Sequence, residues 1–154
     1  MARSTTNVMK SDKGRILFVE DERMLVDMWH QYFDQHGYDF LSTKDIPEAL
    51  ALTEFEQPDL VLLDLIIPKE KSDGTMDLMA AQGYDYLEAK RKNPKIKNVP
   101  VIVFTNLNTM EDRTKCATLG ADNYLFKNGV EPKEVLAAID EAINGSKVRI
   151  GKKK

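Results

Sequence analysis

This chain has almost no cysteine, no long apolar run and little net charge, and each absence excludes a class of protein. Cys116 is the one cysteine among 154 residues, so neither an internal disulfide nor a metal site of several cysteines is possible. We interpret it as a small packed hydrophobic residue. No run approaches the roughly eighteen apolar residues of a membrane span, and residues 1–13 lack the apolar stretch of a secretory signal. The sequence therefore predicts a cytoplasmic protein with no membrane association.

The net charge of −3 at pH 7 gives no electrostatic reason to expect direct binding to nucleic acid, although the last residues are basic. A chain of this length, 42% hydrophobic and 31% charged, suits one globular domain. We expect that domain at residues 14–145. A mobile polar segment, 1–13, precedes it and a basic tail, 146–154, follows it.

Short apolar runs alternate with amphipathic segments along the chain, which is typical of βαβ units and a parallel sheet. Five runs are predicted as strands: about 15–20, 38–42, 59–64, 99–104 and 122–126. The first helix is expected to bury one face and to stop at Gly37, and that face is Met24, Leu25, Met28, Trp29, Tyr32 and Phe33. Later helices are predicted to start at the capping pairs Asp45/Glu48 and Thr109/Asp112, at about Tyr84, and near Pro132, with the last ending at Gly145.

Polar residues end four of the apolar runs. Glu20 and Asp21 follow the first, Asp64 the third, Thr105 the fourth and Lys127 the fifth. Because the carboxyl ends of parallel strands meet at one edge of a sheet, these side chains are predicted to converge on a site.

The chemistry of that set favours phosphoryl transfer. Three carboxylates within a few ångströms need a cation, and oxygen ligands suit Mg²⁺. The ammonium of Lys127 and the hydroxyl of Thr105 could bind the oxygens of a phosphoryl group that the metal leaves uncovered. A carboxylate such as Asp64 can take a phosphoryl group in line to form an acyl phosphate.

The chain resembles the receiver domain of two-component response regulators over about residues 14–145. The segments that carry this resemblance are 19–22, 59–64, Pro68, Thr105 and 120–127, in this order and with the family's spacing from Thr105 to Lys127. The resemblance implies a flavodoxin-like α/β fold: a doubly wound, five-stranded parallel sheet of order 2-1-3-4-5 with helices on both faces.

The resemblance also assigns roles to individual residues. It implies that Asp64 is the phosphoacceptor and that Lys127 binds the phosphate. Mg²⁺ would be bound by Asp21, by Asp64 and by the backbone carbonyl of Ile66, with Glu20 reaching the ion through water. Thr105 and Tyr124 would form the switch pair, in which the hydroxyl moves toward the phosphate and the ring turns inward.

The expected function is that of a stand-alone signalling protein rather than an enzyme with a separate substrate. It would take phosphate from a histidine kinase or a histidine phosphotransfer protein and signal by a conformational switch. We expect that no effector domain follows, and therefore that output passes through a protein partner that binds the face of helix four, strand five and helix five. The protein would be a monomer or a phosphorylation-dependent dimer.

Three departures from the family pattern are visible. Asn128 stands where proline usually follows the lysine, so we expect a trans peptide, with Gly129 taking up strain in a rearranged turn. Asn106 follows the threonine, where a small residue is usual, and could bind the phosphoryl group or narrow its access. Gly83 follows Asp64 by 19 positions instead of about eight, which places an insertion within 69–82. Residues 69–74 are predicted to be a mobile polar loop, and 75–82 has a helix-forming composition with Met76, Leu78 and Met79 available to pack. We interpret the insertion either as a surface loop with an extra turn or as a flap beside the phosphorylation site that sets partner choice.

Three other functions would suit parts of this pattern. A pseudo-receiver would keep the fold without being phosphorylated. An aspartyl-phosphate hydrolase of the haloacid dehalogenase type needs an acid two residues after the acceptor, where this chain has Ile66. A flavodoxin needs a phosphate loop after strand one, where this chain has the acids Glu20, Asp21 and Glu22.

Overall fold

Five parallel strands form one sheet in the order β2-β1-β3-β6-β7 in the computed structural model, which describes residues 13–152 and the side chains up to Ser146. The strands of this sheet are β1 (Gly14–Val19), β2 (Tyr38–Thr43), β3 (Leu60–Leu63), β6 (Val101–Thr105) and β7 (Asn123–Phe126), and β4 (Lys69–Glu70) pairs with β5 (Met76–Asp77) in a separate hairpin. The helices are α1 (Arg23–Gln35), α2 (Ile46–Glu56), α3 (Gly83–Arg91), α4 (Met110–Thr118) and α5 (Pro132–Lys152), with a 3₁₀ turn at Lys127–Gly129.

The predicted fold class and strand order are confirmed, since the hairpin is an addition and the main sheet has the order 2-1-3-4-5 when its own strands are counted. Alternate residues of each strand face opposite sides of the sheet, so each side needs its own cover. On one side Phe18 packs with Trp29 of α1 and Ile139 of α5. On the other side Leu17 packs in a cluster that includes Ala49 of α2 and Leu87 of α3.

The two predicted capping pairs are confirmed. The carboxylate of Asp45 accepts a hydrogen bond from the backbone N–H of Glu48 at 2.9 Å, and the hydroxyl of Thr109 accepts one from the N–H of Asp112 at 3.0 Å. These bonds satisfy N–H groups that have no partner inside the helix. They fix where α2 and α4 begin, and hence the loops that precede them.

Two expectations about the helices were wrong. Met24 and Met28 of α1 are largely exposed, while Trp29 and Phe33 are buried, so the covered face is narrower than predicted. The last helix continues past Gly145 to Lys152, because a glycine costs a helix only about 1 kcal/mol relative to alanine and does not have to end it. The predicted mobile segments stay untested where they fall at 1–12 and 153–154, which lie outside the described residues.

The insertion is an antiparallel hairpin, and the helix that the composition of 75–82 indicates is not formed, because Met76–Asp77 is a strand. Glu70 pairs with Met76, and the N–H of Lys71 donates to the carbonyl of Thr75 at 2.7 Å to close the turn. Gly74 occupies a φ of +88°, which glycine adopts without steric cost. The strand pairing and this turn outweigh the helix-forming composition of 75–82, which is too short to form a stable helix by itself.

No helix within residues 13–152 has the length and apolar content that crossing a membrane requires.

Candidate functional site

Three carboxylates meet at the carboxyl edge of the sheet, as predicted. Glu20 and Asp21 follow β1, and Asp64 follows β3 next to it. One oxygen from each lies within 4.8 Å of the others. Glu20 and Asp64 are 3% and 6% exposed, whereas Asp21 is more accessible. The group therefore concentrates negative charge at the surface opening of a largely buried site.

Lys127 crosses the site from the end of β7. Its ammonium donates to Oδ2 of Asp64 at 2.9 Å and to Oε1 of Glu20 at 2.5 Å. Burial lowers the pKa of the Lys127 ammonium, but the charges of Asp64 and Glu20 outweigh that effect, so its pKa is raised. Lys127 is therefore a firmly protonated cation.

The ammonium does not neutralise the whole group. Burial raises the pKa of Glu20 to about 7, Lys127 opposes that shift, and the neighbouring Asp64 adds to it. Oε2 of Glu20 also accepts backbone N–H bonds from Asp21 and Glu22, both at 3.1 Å. The pKa of Glu20 therefore stays raised even though the Lys127 ammonium lies beside it. The positive charge around Glu20 is too small to offset the cost of burying its ionised carboxylate. Oxygen donors in such surroundings fit a hard divalent cation such as Mg²⁺.

Thr105 and Ile66 are two further residues of the predicted site. Thr105 is fully buried at the end of β6, and its hydroxyl accepts a hydrogen bond of 3.4 Å from the N–H of Leu107. The backbone N–H of Ile66 donates a hydrogen bond of 3.3 Å to Oδ1 of Asp64, and this bond holds Ile66 next to the Asp64 carboxylate.

These side chains surround an open cleft of about 380 Å³. It is lined by Glu20, Asp21, Glu22, Asp64, Ile66, Pro68, Leu78, Met79, Thr105, Asn106, Leu107 and Lys127. The acids, Thr105, Asn106 and Lys127 supply its polar part, and the other lining residues are apolar. Such a cleft can admit a small charged group to Asp64.

Tyr124 lies behind the loop that follows Thr105. Its hydroxyl donates to the carbonyl of Leu107 at 2.6 Å, and the guanidinium of Arg113 lies 4.6 Å from the ring centroid. Burial raises the pKa of this phenol to about 12, so it stays a hydrogen-bond donor near neutral pH. Tyr124 is thus linked to the same loop as Thr105 through one hydrogen bond.

The two asparagines that depart from the family pattern bind each other. Oδ1 of Asn106 accepts a hydrogen bond of 3.1 Å from the backbone N–H of Asn128, which proline could not donate. The peptide bonds between the described residues are trans, including the one before Asn128. The expectation that Gly129 takes up strain is wrong, because the chain turns there through the 3₁₀ segment Lys127–Gly129. Glycine leaves room there for the Phe126 ring, which lies 2.7 Å from the point that a Cβ would occupy and would have to shift for any other residue.

Gln82 is a site-supporting residue that sequence reasoning missed. Its side-chain amide donates to the carbonyls of Ile67 and Pro68 at 2.8 and 3.0 Å. These contacts hold the loop that carries Ile66 against the base of the hairpin. No sequence signal could identify them, because they depend on the path of the intervening insertion.

The comparisons with known proteins agree on one family. The family model described as "Response regulator receiver domain" matches residues 16–140. Among curated proteins, "Probable transcriptional regulator ycf27" of Porphyridium aerugineum is 35% identical over 82% of this chain and 47% of its own length. The alkaline phosphatase synthesis transcriptional regulatory protein PhoP of Bacillus subtilis is 28% identical over 87% of this chain and 50% of its own. The chain thus spans about half the length of these curated relatives.

Solved structures show the same fold. The CheY-like response regulator receiver domain protein of Methanospirillum hungatei superposes with a TM-score of 0.73 and 27% identity, over 88% of this chain and 97% of that one. The BeF3-activated N-terminal receiver domain of Klebsiella pneumoniae RstA superposes with a TM-score of 0.69 and 23% identity, over 84% of this chain and 97% of that one.

Proposed function

This chain belongs to the response regulator receiver domain family, and we propose that it accepts a phosphoryl group on Asp64 from a phosphorylated histidine of a kinase or phosphotransfer protein. The observation that carries this proposal is the position of Asp64. Its carboxylate opens into the cleft, receives a hydrogen bond from Lys127 at 2.9 Å, and lies beside the acids of the β1 end.

The reaction is an in-line displacement at phosphorus. A carboxylate oxygen of Asp64 forms the new O–P bond while the bond between phosphorus and the donor's imidazole nitrogen breaks, and the bonding electron pair stays with the imidazole. Besides the Asp64 nucleophile, positioning and charge neutralisation supply most of the catalysis. Because Asp64 has low exposure, water has little access to the phosphorus atom and competes weakly with the Asp64 carboxylate as nucleophile.

Lys127 has a direct part in this step. Its ammonium is bound to both Glu20 and Asp64 before transfer, so it is already in place to bind a phosphoryl oxygen. When bound, Mg²⁺ would be held by Asp21, Asp64 and the carbonyl of Ile66, with Glu20 through water, and would offset the charge of the incoming group.

The phosphorylated site would signal through Thr105 and Tyr124. The hydroxyl of Thr105 would turn toward the new phosphoryl group and give up its 3.4 Å contact with Leu107, whose carbonyl also accepts the hydrogen bond from Tyr124. A shift of this loop would therefore reach Tyr124 and the face formed by α4, β7 and α5, where we place the downstream protein partner. The two curated relatives reported above are named as transcriptional regulators and are about twice as long as this chain, and we do not assign transcriptional regulation to this domain.

The test is incubation with acetyl phosphate and Mg²⁺ followed by intact-mass measurement. The wild type should gain one phosphoryl group, and Asp64→Asn should gain none. Asp59→Asn, which changes an acid at the opposite end of β3, is the matched control and should be labelled like the wild type. A wild type that stays unmodified with several small donors would support a pseudo-receiver instead.

A further inference from the structure

The hairpin insertion carries an exposed apolar pair to the rim of the cleft. Leu78 and Met79 directly follow β5, line the same cleft as Asp64 and Lys127, and are 66% and 69% exposed. Met79 donates its backbone N–H to the carboxylate of Asp77 at 3.1 Å, which bends the chain and presents both side chains. Two large apolar side chains beside a polar site are unfavourable in water unless something covers them.

The pair has a fixed place. The N–H of Ile67 donates to the carbonyl of Ala80 at 3.0 Å, and Gln82 binds the Ile67 and Pro68 carbonyls. The hairpin base is thus attached to the β3 loop that also carries Ile66. Because this surface is held in position, a partner that binds it loses less conformational entropy than one that binds a free loop.

We propose that Leu78 and Met79 are a docking surface for the protein that delivers the phosphoryl group, and this inference rests on the proposed function. A cleft of about 380 Å³ has room for a phosphoimidazole but not for the domain that bears it. That domain must therefore rest on the rim. The partner that fits this rim has an apolar surface around its phosphohistidine, which matches the apolar side of the cleft formed by Ile66, Pro68 and this pair.

Charge distinguishes this occupant from a second copy of the chain. Two copies that met at this rim would bring two acidic clefts together, each lined by Glu20, Asp21 and Glu22. Like charges opposed across an interface disfavour association. A donor instead brings one phosphoryl anion to the Lys127 ammonium and covers the apolar pair at the same time.

The experiment compares two donors that carry the same P–N bond. One is phosphoramidate, which has no protein surface, and the other is a ³²P-labelled histidine phosphotransfer domain, chosen from a panel because it phosphorylates the wild type fastest. In Leu78→Gln/Met79→Gln, the ratio of the protein-donor rate to the phosphoramidate rate should fall at least about tenfold. The matched control is Phe55→Gln, which removes an apolar side chain that is 85% exposed on α2, and its ratio should equal that of the wild type.

Each other outcome has a definite meaning. An unchanged ratio in the Leu78/Met79 variant, or an equal fall in the control, would overturn the docking surface while leaving phosphorylation of Asp64 intact. Normal phosphoramidate labelling without transfer from any panel member would overturn the protein donor and the docking surface together. Failure of phosphoramidate and acetyl phosphate to label the wild type would overturn the proposed function itself.

Discussion

The side-chain oxygen of Asn106 and the backbone N–H of Asn128 form a hydrogen bond of 3.1 Å that joins the loop after β6 to the loop after β7. Lys127 immediately precedes the donor, and Thr105 immediately precedes the acceptor. The bond therefore fixes two site residues relative to each other. The bond needs the side-chain oxygen of Asn106 and a residue other than proline at position 128, since only such a residue has a backbone N–H to donate.

We predict that Asn106→Ala and Asn128→Pro are energetically coupled. Each variant removes the same hydrogen bond and should lower the free energy of unfolding by about 1 kcal/mol. The double variant should lower it by less than the sum of the two. The measurement is urea unfolding followed by the fluorescence of Trp29, the one tryptophan of the chain, which is buried against Phe104. Additive effects would show that the bond does not contribute to stability.

A second prediction concerns the cation of the site. Lys127→Met leaves Glu20 and Asp64 without their ammonium, and breaking such a buried pair costs about 3–5 kcal/mol of stability. Millimolar Mg²⁺ should restore part of that loss, because an ion that binds only the folded state stabilises it. Urea unfolding with and without Mg²⁺ measures both effects.

The control for this change is Lys133→Met, which removes a lysine whose side chain is 82% exposed. It should alter stability by less than about 1 kcal/mol and should not change the effect of Mg²⁺. If the two lysine variants behave alike, Lys127 is not the cation that stabilises the acids.

The third prediction tests the support that Gln82 gives to the loop of Ile66. Gln82→Ala removes two hydrogen bonds to that loop and should weaken Mg²⁺ binding about tenfold, as changes to residues that orient metal ligands do. Titration of Mg²⁺ against Trp29 fluorescence or by calorimetry gives the affinity. Gln31→Ala, at an exposed position of α1, should leave it unchanged. Equal affinities in the two variants would mean that the loop holds its position without Gln82.

The lifetime of the acyl phosphate should be long. Ile66 and Leu107 both line the cleft, and neither side chain can orient a water molecule for attack on the phosphorus. In Ile66→Asn/Leu107→Glu, polar groups at these positions should hold that water in line and speed dephosphorylation by about tenfold or more. Decay of the phosphorylated species is followed by intact mass after removal of the donor. Equal or slower decay in the double variant would show that these positions do not control access of water.

The sequence predicted those parts of the fold that depend on local signals. Apolar runs located the five main strands, and Asp45 and Thr109 located two helix starts because capping acts over three residues. The polar strand ends predicted which side chains converge, since parallel strands bring their carboxyl ends to one edge. Each of these features can be read without knowing the rest of the structure.

The remaining features depend on contacts between distant segments. The hairpin of the insertion replaces a predicted helix because Lys69 pairs with Asp77 and the carbonyl of Ala80 binds Ile67, and composition does not report such pairing. Met24 lies on the predicted apolar face but stays exposed, because the width of the covered face is set by what packs against α1. The Asn106–Asn128 bond likewise joins two loops whose separation the sequence does not give.

The contact between Lys127 and Glu20 spans 107 positions of the chain. The acids at the end of β1 are made early, but their cation arrives only when β7 has joined the sheet beside β6. A chain that ends before β7 consequently has Asp64 and Glu20 without the Lys127 ammonium. Under the proposed function, such a chain would lack the cation that binds a phosphoryl oxygen, and it should accept phosphate more slowly than the whole domain.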